Sequence, residues 1–272
     1  MRSFFSLLLL ALFLVMPATA QRATVIEDDS WCEDSRKYDR NREKHCEVRE
    51  ITLDDRDQIR VDATQNGGVH VEGWDRDEIL IRAKVEASAR SKSKAEDLVE
   101  DVTILTRGTI ESEYPGKDSR NWKNNEWVSV SYKIYAPRRS DIDVKTFNGG
   151  LSLENLYGDL SFDALNGGVT LTDLAGDVRG STTNGGLRIE LEGDSWEGDR
   201  LDVSTTNGGV ELIMDEDYSA RLEVGTVNGN LKFDFPVMVR GKLDNNLKTT
   251  LGDGGNLIRA RTTNGGVRIK QR

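Results

Sequence analysis

One short turn signal recurs through the second half of the chain. Six copies of Asn-Gly-Gly or Asn-Gly-Asn occur there, and they begin at Asn148, Asn166, Asn184, Asn207, Asn228 and Asn264. Their spacings are 18, 18, 23, 21 and 36 residues, and the last is twice the first. A repeat of this length is typical of a solenoid, in which each unit closes one coil and stacks on the next. A seventh copy, at Asn66, stands apart near the N-terminus.

Apolar residues flank every one of the six turns at fixed distances. They lie six residues before each Asn and three and five residues after it, as Leu160, Val169 and Leu171 do around Asn166. A spacing of two is strand spacing, since alternate side chains then point to the same face. The sequence therefore predicts an all-β protein, a parallel β-helix-like β-solenoid with coils of 18–23 residues.

The seven turn asparagines have a structural interpretation. Asn tolerates the left-handed backbone conformation, Gly adopts it freely, and stacked amide side chains can form a ladder. Stacked coils place equivalent residues about 4.8 Å apart. A threonine also precedes five of the turns, as Thr205 does, and we expect stacked hydroxyls to bond across the sheet. The turns are thus predicted to build a scaffold.

The first 20 residues have the pattern of a secretory signal peptide. Arg2 supplies a positive charge, residues 4–15 are almost entirely apolar, and Ala18-Thr19-Ala20 matches a cleavage site. The apolar run is too short to span a bilayer as a helix. We expect cleavage after Ala20, export to the periplasm or the extracellular space, and no transmembrane segment in the mature chain.

Cys32 and Cys46 are the only cysteines, and both fall in the exported part. An even count in an oxidising compartment favours a disulfide, which would contribute about 3 kcal/mol in the chain-entropy model. The alternatives are two free thiols or half of a metal site that includes His45.

The formal net charge of −10 argues against nucleic acid as a partner, because nucleic acid demands a basic face. No basic run suits an anionic membrane either. The acidic balance favours solubility.

The chain divides into four parts by composition. A polar segment of residues 21–50 follows the signal peptide, a β-rich part with one helix covers residues 51–137, and the repeats fill residues 138–272. The helix is predicted over residues 91–101 with Ser91 or Ser93 as its cap. A polar loop of residues 113–126 contains Trp122 and ends beside Trp127. Loops of such length are often functional, so these two tryptophans mark a candidate binding loop.

Three stretches in order carry a resemblance. They are VHVEGWDRDEILIRAKVEA, VSVSYKIYAPRRSDIDVKTFNGGLSLENLYGDL and the repeated TTNGGLRIEL units. The chain resembles the bacterial putative adhesin family, an envelope-associated domain of unknown function with β-solenoid repeats. The resemblance covers nearly all of residues 50–272 and implies the fold. It implies no active-site residues.

The sequence contains few groups typical of catalysis. His45 and His70 are the only histidines, and no catalytic triad, phosphate loop, zinc motif or cofactor signature is present. Asp159, Asp177 and Asp199 each follow a glycine at a second corner, where Asp caps turns. No catalytic residue, metal ligand or cofactor is predicted.

Three functions remain open. The first is a non-enzymatic exported envelope protein, an adhesin or binding scaffold whose partner is an unknown protein or glycan of the cell envelope. The second is a polysaccharide-cleaving β-helix enzyme. The third is a scaffold or sensor partner of a membrane complex.

Overall fold

A computed structural model describes residues 23–26, 30–36, 42–114, 126–234 and 245–272. The predicted signal peptide and cleavage site, the loop residues 115–125 and Trp122 lie outside the described residues. The elements, in chain order, are β1 (Thr24–Ile26), a short 3-10 helix (Ser30–Arg36), β2 (Glu43–Asp54), β3 (Gln58–Asn66), β4 (Val69–Trp74), β5 (Glu78–Ala89), α1 (Lys92–Glu100), β6 (Thr103–Leu105), β7 (Thr109–Glu113), β8 (Trp127–Pro137), β9 (Asp141–Asn148), β10 (Leu151–Asn166), β11 (Val169–Asn184), β12 (Leu187–Glu190), β13 (Arg200–Asn207), β14 (Val210–Met214), β15 (Ala220–Asn228), β16 (Leu231–Phe233), β17 (Asn246–Leu251), β18 (Leu257–Asn264) and β19 (Val267–Gln271).

The all-β class is confirmed, and α1 is the one α-helix among the described residues. The Ser91 side chain caps this helix, because its hydroxyl accepts the Lys94 backbone N–H at 3.3 Å. Leu98 and Val99 lie on its buried face, and the helix packs against β2 and β5.

The strands form two faces that meet at the Asn-Gly-Gly edge. Face A holds the strands that follow each turn together with β1, β2, β5 and β8. Its spatial order is β1, β2, β5, β8, β4, the first half of β10, the first half of β11, β12, β14, β19 and β16. Face B holds the strands that precede each turn, in the order β6, β7, β3, β9, the second half of β10, the second half of β11, β13, β18, β15 and β17.

The alternating apolar residues fill the space between the faces. In the column five residues after the turn Asn, Leu153, Leu171, Ile189, Leu212 and Ile269 are each at most 1 % exposed. One continuous apolar cluster runs from Ile51 to Ile269. Period-2 patterning therefore produces a core shared by the N-terminal part and the repeats.

The turn asparagines form a side-chain ladder whose order differs from the order in the sequence. The ladder runs in the order Asn66, Asn148, Asn166, Asn184, Asn207, Asn264, Asn228, and each amide nitrogen donates to the amide oxygen of the asparagine before it at 2.8–3.0 Å. Asn66, 82 residues before its neighbour, is the first rung of the ladder.

The last coil is inserted between two earlier ones. β18 pairs in parallel with β13 on one side and with β15 on the other. β17 then pairs antiparallel with β15. The 36-residue spacing before Asn264 therefore does not represent two coils stacked in sequence order, because the C-terminal coil lies between the coils that contain β13 and β15.

Threonine hydroxyls bond across the stack, but to glycine carbonyls rather than to each other. The Thr182, Thr205, Thr262 and Thr226 hydroxyls donate to the first-glycine carbonyl of the neighbouring coil at 2.7–3.0 Å. The Thr146 hydroxyl is buried and makes no hydrogen bond within the described part of the chain.

The prediction that the turn asparagines adopt the left-handed backbone conformation is wrong. Among described residues the only non-glycine residues with positive φ are Asn155 at 56° and Asp173 at 49°, and they lie at the opposite corner of the coil. The turn asparagines are held by their amide ladder instead.

Candidate ligand-binding groove

A groove of about 770 Å³ runs along the turn edge on face A, across five neighbouring coils. We call it the turn groove. Its floor contains the second glycine of four turns, Gly168, Gly186, Gly209 and Gly266, and ends at Asn230. Equivalent positions on neighbouring parallel strands lie in one row, so the groove runs across these strands.

The two glycines of each turn have different surroundings. A Cβ at Gly185, a first glycine, would stand 1.9 Å from the Gly167 carbonyl oxygen. A Cβ at Gly186, the second glycine, would meet nothing nearer than 3.4 Å. Packing of the neighbouring coil thus excludes side chains from the first position and tolerates them at the second.

Asn230 demonstrates this tolerance, since it occupies the second position of its own turn. The second glycines are exposed, and none of the four has a positive φ between +20° and +160°. Glycine at these positions keeps the floor of the groove bare, and the fold itself does not require it.

One wall of the groove is a row of outward side chains four residues after each turn Asn. In spatial order they are Thr170, Arg188, Glu211, Arg268 and Lys232. Parallel register places these residues on neighbouring strands about 4.8 Å apart. Arg188, Glu211 and Arg268 alternate in charge, and Lys232 adds a second cation next to Arg268.

Ion pairs fix this wall. Arg188 pairs with Glu190 at 2.7 Å and also with Glu211, while Arg268 pairs with Asp234 at 2.9 Å. Lys270 contacts Glu211 at 2.6 Å, and its hydrogen bond holds the pKa of that carboxyl below its usual value.

The turn groove continues into a second hollow of about 400 Å³ at its N-terminal end. The two share Gly168 and Thr170, and the hollow extends over Gly150 and Gly68 to Trp31. His70, Lys133 and Ser152 lie in the same region. The Lys133 and Lys84 ammonium groups lie 4.5 and 5.5 Å from the centre of the Trp31 ring.

A disulfide joins Cys32 to Cys46 and fixes the segment that carries Trp31. Because Cys46 belongs to β2, the neighbouring indole is tied to face A. Our sequence analysis did not select Trp31 as a binding residue. Its position next to a cysteine was the one available signal.

Trp127, one of the two predicted loop tryptophans, does not line the turn groove. Trp127 begins β8, and its ring lies 5.5 Å from the Lys44 ammonium group. Trp122 is outside the described residues. Trp196 is 4 % exposed and donates its indole N–H to the Gly176 carbonyl at 3.1 Å.

The corner carboxylates have structural partners. Asp177 is buried between Arg179 and Arg200, and the hydrogen bond from Arg179 lowers its pKa first of all. The Asp159 backbone N–H donates to the Asp141 carboxylate at 2.9 Å. Asp177 thus forms ion pairs instead of capping its turn, and at the Asp159 corner the capping carboxylate is that of Asp141.

Within residues 23–26, 30–36, 42–114, 126–234 and 245–272, no three His, Cys, Asp or Glu side chains are grouped to hold a metal ion. No helix in these ranges has the length and apolar character needed to cross a membrane.

The sequence profile of a family described as Toastrack DUF4097 matches residues 128–270. This match confirms the resemblance to the bacterial putative adhesin family. It begins near the start of β8 and includes all six repeats of the second half. No curated protein sequence matches the chain.

Several solved structures are similar at low identity. A putative cell adhesion protein from Clostridium sporogenes has 13 % identity and a TM-score of 0.46, and the match covers 85 % of this chain and 100 % of that one. A putative adhesin from Bacteroides fragilis has 13 % identity and a TM-score of 0.29, with 84 % and 97 % covered. A putative adhesin from Parabacteroides merdae has 13 % identity and a TM-score of 0.33, with 84 % and 96 % covered.

Proposed function

The chain belongs to the Toastrack DUF4097 family, and we propose that it is an exported, non-enzymatic binding protein of the cell envelope. In this proposal the repeats form a β-solenoid of 18–23-residue coils with Asn-Gly-Gly corners. The solenoid works as a rigid, adhesin-like scaffold that presents the turn groove to a protein or glycan partner.

The turn groove is the observation that carries this proposal. It is concave, spans five coils, and has a floor of glycines at positions where side chains are sterically tolerated. Binding sites are usually largely preformed concave surfaces with a few fixed polar groups, and the ion-paired wall supplies such groups.

Export is supported by the sequence and the disulfide together. The signal-peptide pattern places the mature chain after Ala20. A disulfide such as Cys32–Cys46 persists in oxidising compartments, which include the periplasm and the extracellular space.

The loop of residues 113–126 is a second part of the proposal. It leads into β8, in which Trp127, Ser131 and Lys133 lie on the same side of the strand. Ser131 and Lys133 line the N-terminal hollow. We propose that this loop adds contacts at that end of the groove.

Affinity capture from an envelope extract tests the proposal. The exported chain is immobilised and compared with Gly209→Gln, which places a side chain in the groove, and with Ser181→Gln, an exposed position on face B. A third variant lacks residues 115–125. We expect Gly209→Gln to lose the captured component and Ser181→Gln to retain it, with unchanged melting temperatures.

Equal capture by the wild-type and Gly209→Gln proteins would contradict the role of the groove. Loss of capture only in the loop deletion would place the site at the loop. Release of reducing sugar from an envelope polysaccharide, abolished by Asp159→Asn, would favour the enzyme hypothesis instead.

A further inference from the structure

We propose that the turn groove and its N-terminal hollow bind an uncharged linear glycan, laid along the solenoid axis with about one sugar ring per coil. This inference rests on the proposed function and names its ligand class. Four observations support it: the dimensions of the site, the charge pattern of its wall, the amide ladder beside its floor, and the indole at its end.

The dimensions suit an extended polymer. The turn groove crosses five coils, and four steps of about 4.8 Å give a length of about 19 Å. With the hollow, the site reaches seven coils, from Asn66 to Asn228, or about 29 Å. An extended chain of pyranose rings advances by a similar distance per ring, so successive rings can meet equivalent coils.

The wall is matched to a ligand without formal charge. Within the wall, Arg188 pairs with Glu190 and Glu211, and Arg268 pairs with Asp234, while Lys232 adds one further cation. These paired charges offer little net attraction to a polyanion or to a polycation. The ion pairs satisfy most of the charge but leave spare donors and acceptors on each group. Sugar hydroxyls, which donate and accept, suit such a row.

The asparagine ladder is a second periodic array that runs parallel to the floor, two residues before it in each coil, and Asn228 of this ladder lines the groove. Each interior amide uses one N–H and one oxygen lone pair for its neighbours, as Asn184 does with Asn166 and Asn207. An amide has two N–H donors and two lone pairs, so one of each remains. The remaining donors and acceptors repeat once per coil, at the period of the sugars.

Trp31 supplies an aromatic surface at the end of the site. Its ring lines the hollow, and the disulfide fixes its segment to β2. The apolar face of a sugar ring packs on an indole, while the hydroxyls at its rim remain free to hydrogen-bond. Ser152 and Thr170 provide hydroxyl partners between Trp31 and the turn groove.

Two other occupants fit less well. An extended peptide binds a sheet by pairing with free backbone groups, but here the second-glycine carbonyls accept from the next coil, as in Val169 N–H to Gly186 O at 2.9 Å. An acyl chain needs apolar walls, whereas this wall carries Arg188, Glu211 and Arg268.

Calorimetric titration of the exported chain with defined hexasaccharides tests the proposal. The probes are cellohexaose, laminarihexaose and chitohexaose, with hexagalacturonic acid as the acidic comparison. We expect at least one neutral hexasaccharide to bind more tightly than its trisaccharide, because more coils are then engaged. We also expect little change between 50 mM and 200 mM salt (about twofold or less), since no net charge is neutralised.

Matched variants locate the binding. Gly209→Gln fills the floor and should weaken binding by about tenfold or more. Trp31→Ala should weaken it similarly, and Trp31→Phe should restore most of the affinity because a ring is retained. Ser181→Gln, on the opposite face, should bind as the wild type does. Circular dichroism checks that each variant is folded.

The outcomes separate this inference from the proposed function. If no neutral hexasaccharide binds, or if only hexagalacturonic acid binds, the proposal of an uncharged glycan is overturned. The proposed function still stands in that case if Gly209→Gln abolishes envelope capture. If a neutral hexasaccharide binds equally to the wild type and Gly209→Gln, the groove is not its site and the inference fails.

Discussion

The first and second glycines of each turn are chemically identical neighbours with opposite surroundings. At first positions such as Gly167, Gly185, Gly208 and Gly265, a Cβ would stand 1.9–2.1 Å from a carbonyl oxygen of the adjacent coil. At the second positions of the turn groove the nearest atom is 3.3–3.7 Å away. Stacking requires glycine in the column of first positions, whereas glycine in the column of second positions leaves the turn groove open.

Glycine therefore has a different role in each of the two columns. The first column allows coils to approach so closely that glycine carbonyls accept threonine hydroxyls, as Gly185 does from Thr205 at 2.7 Å. The second column exposes its backbone to solvent beside an ion-paired wall. The repeat therefore combines a structural requirement and a binding surface in adjacent residues.

The largest expected effect comes from adding a side chain to each column. Gly185→Val should destabilise the protein by more than about 4 kcal/mol, because the side chain would overlap the Gly167 carbonyl. Gly186→Ala should change the free energy of unfolding by less than about 1 kcal/mol. Urea titration measures both, and equal losses would remove the distinction between the columns.

The expected difference between Gly185→Val and Gly186→Ala follows from the close approach of the neighbouring coil to the first glycine. Our sequence analysis had assigned the glycine requirement of the turn to a left-handed backbone, but Gly185 has no such φ, whereas Gly193, in the segment between β12 and β13, has a φ of +72°. Nothing lies within 4 Å of a Cβ built at Gly193. Gly193→Ala should therefore cost only the modest strain of its φ.

A second test compares two threonines that precede first glycines. Thr205→Val removes a hydroxyl that donates to the Gly185 carbonyl, and should cost about 1 kcal/mol. Thr146→Val removes a buried hydroxyl without a partner among the described residues, and should be neutral or stabilising. Thermal melts distinguish them, and an equal loss for both variants would contradict the proposed hydroxyl–carbonyl bonding.

The smallest effect concerns the wall beside the second column. The hydrogen bond from Lys270 lowers the pKa of Glu211 in the folded state. The pair therefore stabilises the folded protein fully above the unfolded-state pKa of about 4.3. This contribution is lost as the pH falls through the lower pKa of the folded state. Glu211→Gln should therefore cost at most about 1 kcal/mol at pH 7, and nearly nothing once the pH lies below the folded pKa. Urea titrations of both proteins at neutral and acidic pH measure this, and a difference that persists in acid would exclude the ion pair as its cause.

The repeating part of the fold could be predicted because its information is local. Strand alternation around residues such as Leu171 identifies the inward face, and the recurring Asn identifies the corner. The Ser91 cap and the apolar face of α1 were likewise evident from a few neighbouring residues.

The order of the coils could not be predicted in this way. Leu201, Ile258 and Leu222 occupy the same position in β13, β18 and β15, so any of the three coils could be stacked next to any other. Asn66 joins the ladder from 82 residues away. Stacking order is a tertiary property that equivalent repeats do not encode individually.

The candidate site was missed for a related reason. The sequence directed attention to the tryptophans of the long loop, since exposed indoles in loops often bind ligands. The turn groove instead depends on the absence of side chains at Gly186 and its equivalents, and that absence resembles ordinary turn chemistry until the neighbouring coil is placed. Trp31 lines the adjoining hollow, where the disulfide of the neighbouring Cys32 to β2 holds its segment.

The most direct test of the two-column account is a scan along the second column. Gly168, Gly186, Gly209 and Gly266 are each replaced by Gln, and the melting temperature and envelope capture of every variant are measured beside those of Asn230→Gln. The account predicts melting temperatures within a few degrees of the wild type for all five, lost capture for the four glycine variants and retained capture for Asn230→Gln. Capture retained by all four, or melting temperatures that fall together with capture, would contradict it.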